Sequence, residues 1–297
     1  MRAMSGYCVL APVRFGDRML PADRAAVMAI VNRTPDSFYD RGATFTDQAA
    51  MAAVHRAVSG GADIVDIGGV KAGPGEDVGV AEEIRRVVPF IHAVRECYPE
   101  LLISVDTWRH EVAQPAIEAG ADIINDTWGG ADPQLAEVAA AYRCGMVCTH
   151  TGGARPRTRP HRVRYADVVR DVVADLTAQA SRLVRLGVPR QAILIDPAHD
   201  FGKNTWHGLE LLRRCDELVA TGWPVLMALS NKDFIGETLD AGVDDRVDGT
   251  LAATAIAAWA RVRVFRVHQV RQTRRVLEMV ASIAGSRPPA RPVRGLA

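Results

Sequence analysis

The feature that most constrains this chain is a pattern that returns eight times. Short runs that are apolar throughout end in a polar or acidic residue, and each is followed by a stretch with helical periodicity. The runs are VMAIVN (27–32), DIVDIGG (63–69), LLISVDT (101–107), ADIINDTW (121–128), GMVCTH (145–150), AILIDP (192–197), PVLMALS (224–230) and VRVFRVH (262–268). Runs that do not alternate read as parallel strands buried on both faces. Helical periodicity occupies 46–59, 80–96, 111–119, 133–142, 166–186, 208–220, 245–259 and 273–284. Several joins place a glycine where a helix should end in a left-handed turn, as at Gly60-Gly61-Ala62-Asp63, Ala119-Gly120-Ala121-Asp122 and Leu186-Gly187-Val188. Eight such units in 297 residues predict an α/β fold, a single-domain (β/α)8 TIM barrel spanning residues 27–285. A doubly wound open sheet is the alternative; the absence of G-x-G-x-x-G after the first run weighs against its dinucleotide-binding form.

Residues 1–26 read as an N-terminal extension, and the Pro/Arg tail SRPPARPVRGLA (286–297) is expected to be disordered. The basic stretch GGARPRTRPHRVR (152–164) reads as an exposed loop after a strand, long enough to serve as a lid. Lys and Arg number 36 against 35 Asp and Glu, so no general basic field exists to recruit nucleic acid or an anionic membrane. No run approaches the roughly 20 apolar residues of a membrane span, and the N-terminus lacks the apolar core of a signal peptide. Five scattered cysteines suit a reducing compartment, with Cys144 and Cys148 read as packing inside an apolar run. The expected location is cytoplasmic.

In a barrel of this kind the C-terminal ends of the strands form one face, where chemistry gathers. The runs deliver Asn32, Asp66, Asp106 with Thr107, Asn125 with Asp126, His150, Asp196, Ser230 with Lys232, and Arg266 with His268 to that rim. Helix capping accounts for some of the Asp, Asn and Ser. It accounts less well for Lys232, or for Arg266 and His268, which alternate along one strand and share a face. Carboxylates with an Asn can grip an amidine-like or guanidine-like heterocycle, because a carboxylate accepts paired N–H donors. The cations can balance anionic groups, phosphate above all. Long loops after the first and second runs, NRTPDSFYDRGATF and GGVKAGPGED, suit mobile covers over the mouth.

The string MAIVNRTPDSFYD resembles the first-loop signature of the dihydropteroate synthases. GADIVDIGG, ISVDT, IINDTWGG, DPAHDFGKN, LSNKDFIG and RVHQV resemble the family's remaining blocks, in order, from about Met28 to Val270. The resemblance implies a (β/α)8 barrel joining 6-hydroxymethyl-7,8-dihydropterin diphosphate to p-aminobenzoate, with Mg²⁺ assisting release of diphosphate. It implies that Asp106, Asn125, Asp196 and Lys232 line a pterin pocket. Arg266 would stack over the pterin and, with His268, meet the diphosphate, so Lys232, Arg266 and His268 are the candidate catalytic residues. Phe38 and Pro74 would flank the aminobenzoate ring, Ser230 would lie near its carboxylate, and Asn32 would help to hold magnesium. A homodimer built through helices far from the mouth is also implied.

The chain departs from the family pattern where the anion should sit. Glu-Ser-Thr-Arg-Pro-Gly is replaced by Val70-Lys71-Ala72-Gly73-Pro74-Gly75, and the middle residue of Ser-Arg-Lys is Asn231. Met-His-Met becomes Thr149-His150-Thr151, Asp-Pro-Gly-Ile-Gly-Phe becomes Asp196-Pro197-Ala198-His199-Asp200-Phe201, and the Asp after Arg-Val-His is Gln269. These departures predict a divergent second copy that retains a pterin pocket and has lost, or nearly lost, dihydropteroate synthesis. A working synthase with an unusual second loop, and a non-catalytic barrel binding a pterin-like ligand, stay open as alternatives.

Overall fold

Each of the eight apolar runs forms a strand of one parallel sheet. The computed structural model describes residues 10–34, 46–158 and 163–294. A small hairpin, β1 (Arg14–Phe15) and β2 (Arg18–Met19), precedes the sheet. The sheet contains β3 (Ala26–Asn32), β4 (Ile64–Gly68), β5 (Leu102–Asp106), β6 (Ile123–Asn125), β7 (Gly145–Thr149), β8 (Ile193–Asp196), β9 (Leu226–Met227) and β10 (Val264–Val267). Its order is β8-β7-β6-β5-β4-β3-β10-β9. A parallel bridge between Ile195 and Val225 brings the first and last strands together, with the Ile195 N–H donating to the Pro224 carbonyl at 3.0 Å. The result is a nearly closed barrel.

Helices α1 (Asp47–Ser59), α2 (Val80–Cys97), α3 (His110–Glu118), α4 (Gln134–Tyr142) and α5 (Val168–Leu186) wrap the first strands. They are followed by α6 (Thr205–Arg213), α7 (Cys215–Ala220), α8 (Asp233–Leu239), α9 (Val247–Trp259) and α10 (Val270–Ile283). Local chemistry sets several boundaries: Thr46 accepts from the Ala49 N–H to start α1, and Asp167 accepts from Val169 and Arg170 to start α5. Gly187 ends α5 with a φ of 108°, a conformation in which a Cβ would be strained. The stretch 208–220, periodic throughout, is divided at Arg214, whose φ and ψ of −112° and 27° leave the helical region. Its guanidinium binds Asp167, Glu210 and Glu217 there.

Alternation along the strands sorts side chains into two cores. Val27, Val65, Ile103, Ile124, Cys148 and Phe265 face the helices. Met28, Ile64, Leu102, Ile123, Val147 and Leu194 fill the barrel interior together with Val13, Phe15 and Leu20 from the N-terminal segment. Phe15, 1% exposed, closes the base of the barrel, and burying a side chain of this size contributes about 2–3 kcal/mol. It fits because residue 145 is glycine: a Cβ there would lie 2.3 Å from the Phe15 ring.

The base is also tied by charge. Arg263 is 1% exposed and donates to the carbonyls of Ala11, Pro21 and Arg24 at 3.0, 2.6 and 3.0 Å. The aspartates of the two Gly-Ala-Asp joins act alike. Asp63 accepts the Val27 N–H and pairs with Arg24 and Arg274, while Asp122 accepts the Ile103 N–H and pairs with Arg18 and Arg95. Beyond α10, Ser286 donates to the Asp23 carbonyl at 2.8 Å, and Arg287 approaches Glu278 at 3.4 Å.

Candidate functional site

One step above the apolar plug, the same alternation turns Asp66, Ser104, Asn125, Thr149, Asp196 and Arg266 into the barrel. A layer of polar side chains therefore replaces the aliphatic one toward the strand C-termini. Arg266 lies at its centre. Its Nε donates to Asp66 Oδ2 at 2.6 Å and its Nη2 to Asp106 Oδ2 at 2.6 Å. Asn125 Nδ2 donates to the same Asp66 oxygen at 3.1 Å, and Thr127 donates to the other oxygen of Asp106. Burial works against the Arg266 charge, but Asp66 and Asp106 outweigh it and raise its pKa. Burial pushes the Asp106 carboxyl up to about 6, against the pull of Arg266 and with the help of Asp66.

Asp196 ends β8 and accepts the Ala198 N–H at 2.8 Å. Burial lifts its carboxyl to about 6, opposed by that hydrogen bond and by Lys232, Arg266 and Lys203. The loop that follows carries Asp200, whose Oδ2 lies 2.6 Å from Lys232 Nζ. Lys203, half-buried in the same loop, donates to His150 Nδ1 at 2.9 Å and to the carbonyls of Phe201, Ala198 and His150 at 2.9, 3.1 and 3.2 Å. Burial takes the Lys203 ammonium down to about 7. His150 is driven down to about 3 by burial and by Lys203, which favours its neutral form. His199 and His268 are also driven to about 3, by burial first and then by neighbouring cations.

Asp106, Asn125, Asp196, Lys232, Arg266 and His268, expected from the sequence to line the site, converge on the mouth of the barrel, and Asn32 ends β3 on the same rim. Arg266, expected to stack over a ligand, lies between two carboxylates in this structure. Ser230, expected near a substrate carboxylate, donates to Gln269 Oε1 at 2.7 Å and accepts the His268 N–H at 3.2 Å, so its proton is committed within the chain. Pro74 is exposed on the loop after β4, and Phe38 lies outside the described residues.

Other side chains that meet the site were not singled out in the sequence. Lys203 and Asp200 stand in the DPAHDFGKN block but are not at a strand end, and Thr127 gave no signal beyond polarity. Glu83, fully buried on α2, accepts from Thr107 and Arg109 at 2.7 Å each and ties the mouth to the helical layer. Its position inside an amphipathic pattern hid it.

A family model described as pterin binding enzyme matches residues 28–268, and the chain is 36% identical over 263 residues to the dihydropteroate synthase of Streptococcus pyogenes, 87% of this chain and 96% of the relative. The chain belongs to the dihydropteroate synthase family of pterin-binding enzymes. Within the family it is similar to proteins named inactive dihydropteroate synthase 2. It is 66% identical to that of Mycobacterium leprae, covering 94% of this chain and 98% of the relative. Among solved structures, Rv1207 of Mycobacterium tuberculosis is 54% identical with a TM-score of 0.72, covering 92% of this chain and 98% of that one. Dihydropteroate synthase of Yersinia pestis, solved with a sulfonamide drug, is 31% identical with a TM-score of 0.87, covering 93% of this chain and 100% of that one. The matched residues 28–268 include the whole polar layer around Asp106, Asn125, Asp196 and Arg266.

Proposed function

We propose that this chain is a divergent second copy of dihydropteroate synthase. It keeps a buried site for a flat, pterin-like heterocycle and has lost, or nearly lost, the condensation of the pterin diphosphate with p-aminobenzoate. The observation that carries this reading is the fate of the cations at the mouth. Lys232 is closed against Asp200, and Arg266 is shared by Asp66 and Asp106. A departing diphosphate needs positive charge aimed at it before the bond breaks. The loop after β4 offers Lys71, while Ala72 and Gly73 bring no donor side chain. Each missing donor of this kind costs about 10²–10³ in rate. The names of the mycobacterial relatives support the same reading.

Asp106, Asn125 and Asp196 still present buried acceptors and an amide, the complement of a heterocycle edge bearing amino and ring N–H groups. Magnesium fits this chain only in company. Asn32 offers a single amide oxygen, and Mg²⁺ that binds through one or two protein ligands completes its octahedron with phosphate oxygens and water. When bound, such an ion would neutralise charge on the diphosphate. A homodimer is the expected assembly: Ile256 and Trp259 on α9 and Met279 and Ile283 on α10 are each more than half exposed, an apolar face suited to a second copy. No helix among the described residues is long and apolar enough to cross a membrane, which is compatible with the cytoplasmic location we infer.

The test is a turnover assay on purified protein with both substrates and Mg²⁺, run beside calorimetry with the unphosphorylated hydroxymethyl pterin. The expected result is heat from the pterin without product. Turnover at an ordinary rate of about 1 s⁻¹ would overturn the loss of synthesis. Absence of heat with any pterin would remove the retained pocket.

A further inference from the structure

Three polar atoms close to Asp196 in the chain and the sheet are buried without a hydrogen-bond partner among the described residues: the Thr149 hydroxyl and both ring nitrogens of His199. Thr149 is 2% exposed and His199 3%. The β7–β8 register sets Thr149 directly beside Asp196. Val147 lies in the interior cluster and Cys148 in the outer one, so alternation turns Thr149 into the barrel at the level of the polar layer. Its main chain is held in place. The Thr149 carbonyl accepts from Gln179 at 3.4 Å, and Gly129 packs so closely on it that a Cβ would come within 2.2 Å of the carbonyl oxygen.

Nothing in the packing requires a hydroxyl here. A buried donor or acceptor left unmade is a net cost to the fold, and such a group in a native protein calls for a partner from outside the chain. Valine has the shape of threonine and would fill the same space without that cost. The resemblance drawn from the sequence places an apolar methionine at position 149 and an apolar isoleucine at 199. Both exchanges, on adjacent elements flanking Asp196, therefore go from apolar to polar, and both leave atoms unpartnered.

We propose that Thr149 is a specificity determinant of the heterocycle site, selecting a ligand that brings an additional oxo or hydroxyl group to the β7–β8 side. The ligand class is an oxidised, oxo-substituted pterin in preference to the unsubstituted ring. The Thr149 hydroxyl donates to such an oxygen or accepts from its protonated form, while the His199 ring in the loop beyond lies stacked on Phe234. This inference rests on the proposed heterocycle site and adds its selectivity.

The experiment is calorimetry with pterin, xanthopterin and isoxanthopterin on the full chain and on Thr149→Val and Thr149→Ser, each with a melting temperature. The wild-type protein is expected to bind at least one oxo-pterin about tenfold more tightly than pterin. Thr149→Val is expected to lose that preference, keep its affinity for pterin within threefold and melt no lower than the wild type. Thr149→Ser, which retains the hydroxyl, is expected to keep the preference. Equal affinities in the wild type, or an unchanged preference in Thr149→Val, would overturn the proposal. A large drop in the melting temperature of Thr149→Val would overturn it too, because the hydroxyl would then be serving the fold. Failure of the wild type to bind any of the three is a separate result, which removes the heterocycle site itself.

Discussion

Replacing Asp200 by Asn tests whether the mouth has been neutralised from within. The carboxylate oxygen lies 2.6 Å from Lys232 Nζ, with the two side chains 31% and 24% exposed. Two unit charges about 4 Å apart interact by about 4 kcal/mol at an effective dielectric constant of 20, and fully exposed pairs retain only about 0.2–1 kcal/mol. A half-shielded pair falls between, at about 1–2 kcal/mol. Asp200→Asn keeps the shape, removes the negative charge and returns Lys232 to whatever anion enters. Inorganic diphosphate should then bind about tenfold more tightly, equivalent to about 1.4 kcal/mol, while unphosphorylated hydroxymethyl pterin should change less than threefold. Calorimetry with both ligands at low salt and again at about 1 M salt, where the Debye length is about 3 Å, provides the control: the gain should shrink with screening. An equal gain for both ligands, or none for diphosphate, would refute the idea that Asp200 blunts the anion site.

Three further outcomes are expected. Asp106 and Asp196 have carboxyls raised to about 6, and a heterocycle N–H needs them ionised. Pterin affinity should therefore approach its full value above about pH 7 and fall as pH drops through about 6, by up to tenfold per pH unit for each carboxylate; a flat profile between pH 5 and 7 in titration calorimetry would contradict this. Arg263→Ala removes three hydrogen bonds made by a buried guanidinium to main-chain carbonyls and leaves a void, costing about 3–5 kcal/mol and lowering Tm by about 10 °C; a scanning calorimetry shift under 2 °C would show that the base does not depend on it. Trp259→Glu places a charge on the exposed α9–α10 face and should convert a dimer to a monomer by light scattering, whereas a wild-type protein already monomeric at micromolar concentration would exclude that interface.

The barrel was legible in the sequence because parallel strands covered on both sides leave an unbroken apolar signature. The weakest strand was also the least regular: PVLMALS yields only Leu226–Met227 plus the bridge at Val225. The short helix α8 (Asp233–Leu239) went unread because LSNKDFIG carried a motif that drew attention to chemistry rather than to periodicity. Within the site, residues at strand ends could be found by counting along the runs, which is how Asp106, Asn125, Asp196 and Arg266 emerged. Pairings between distant segments could not. Arg266 and Asp106 are 160 residues apart, and Lys232 and Asp200 are 32 apart. No local pattern records that these charges cancel. The same blindness applied to Asp63 and Asp122, where the glycines of the joins were read and the aspartates, which bind two arginines each, were not.

Those aspartates and Arg263 have a consequence for how a chain like this one can change over time. The ties that Asp63, Asp122 and Arg263 make lie at the end where the strands begin, and they share no residue with the polar layer at the end where the strands finish. A lineage descended from such a barrel can exchange residues around the opening, lose a reaction and acquire a taste for another molecule while the ring stays shut. The closed end acts as a keel, and the open end is free to drift.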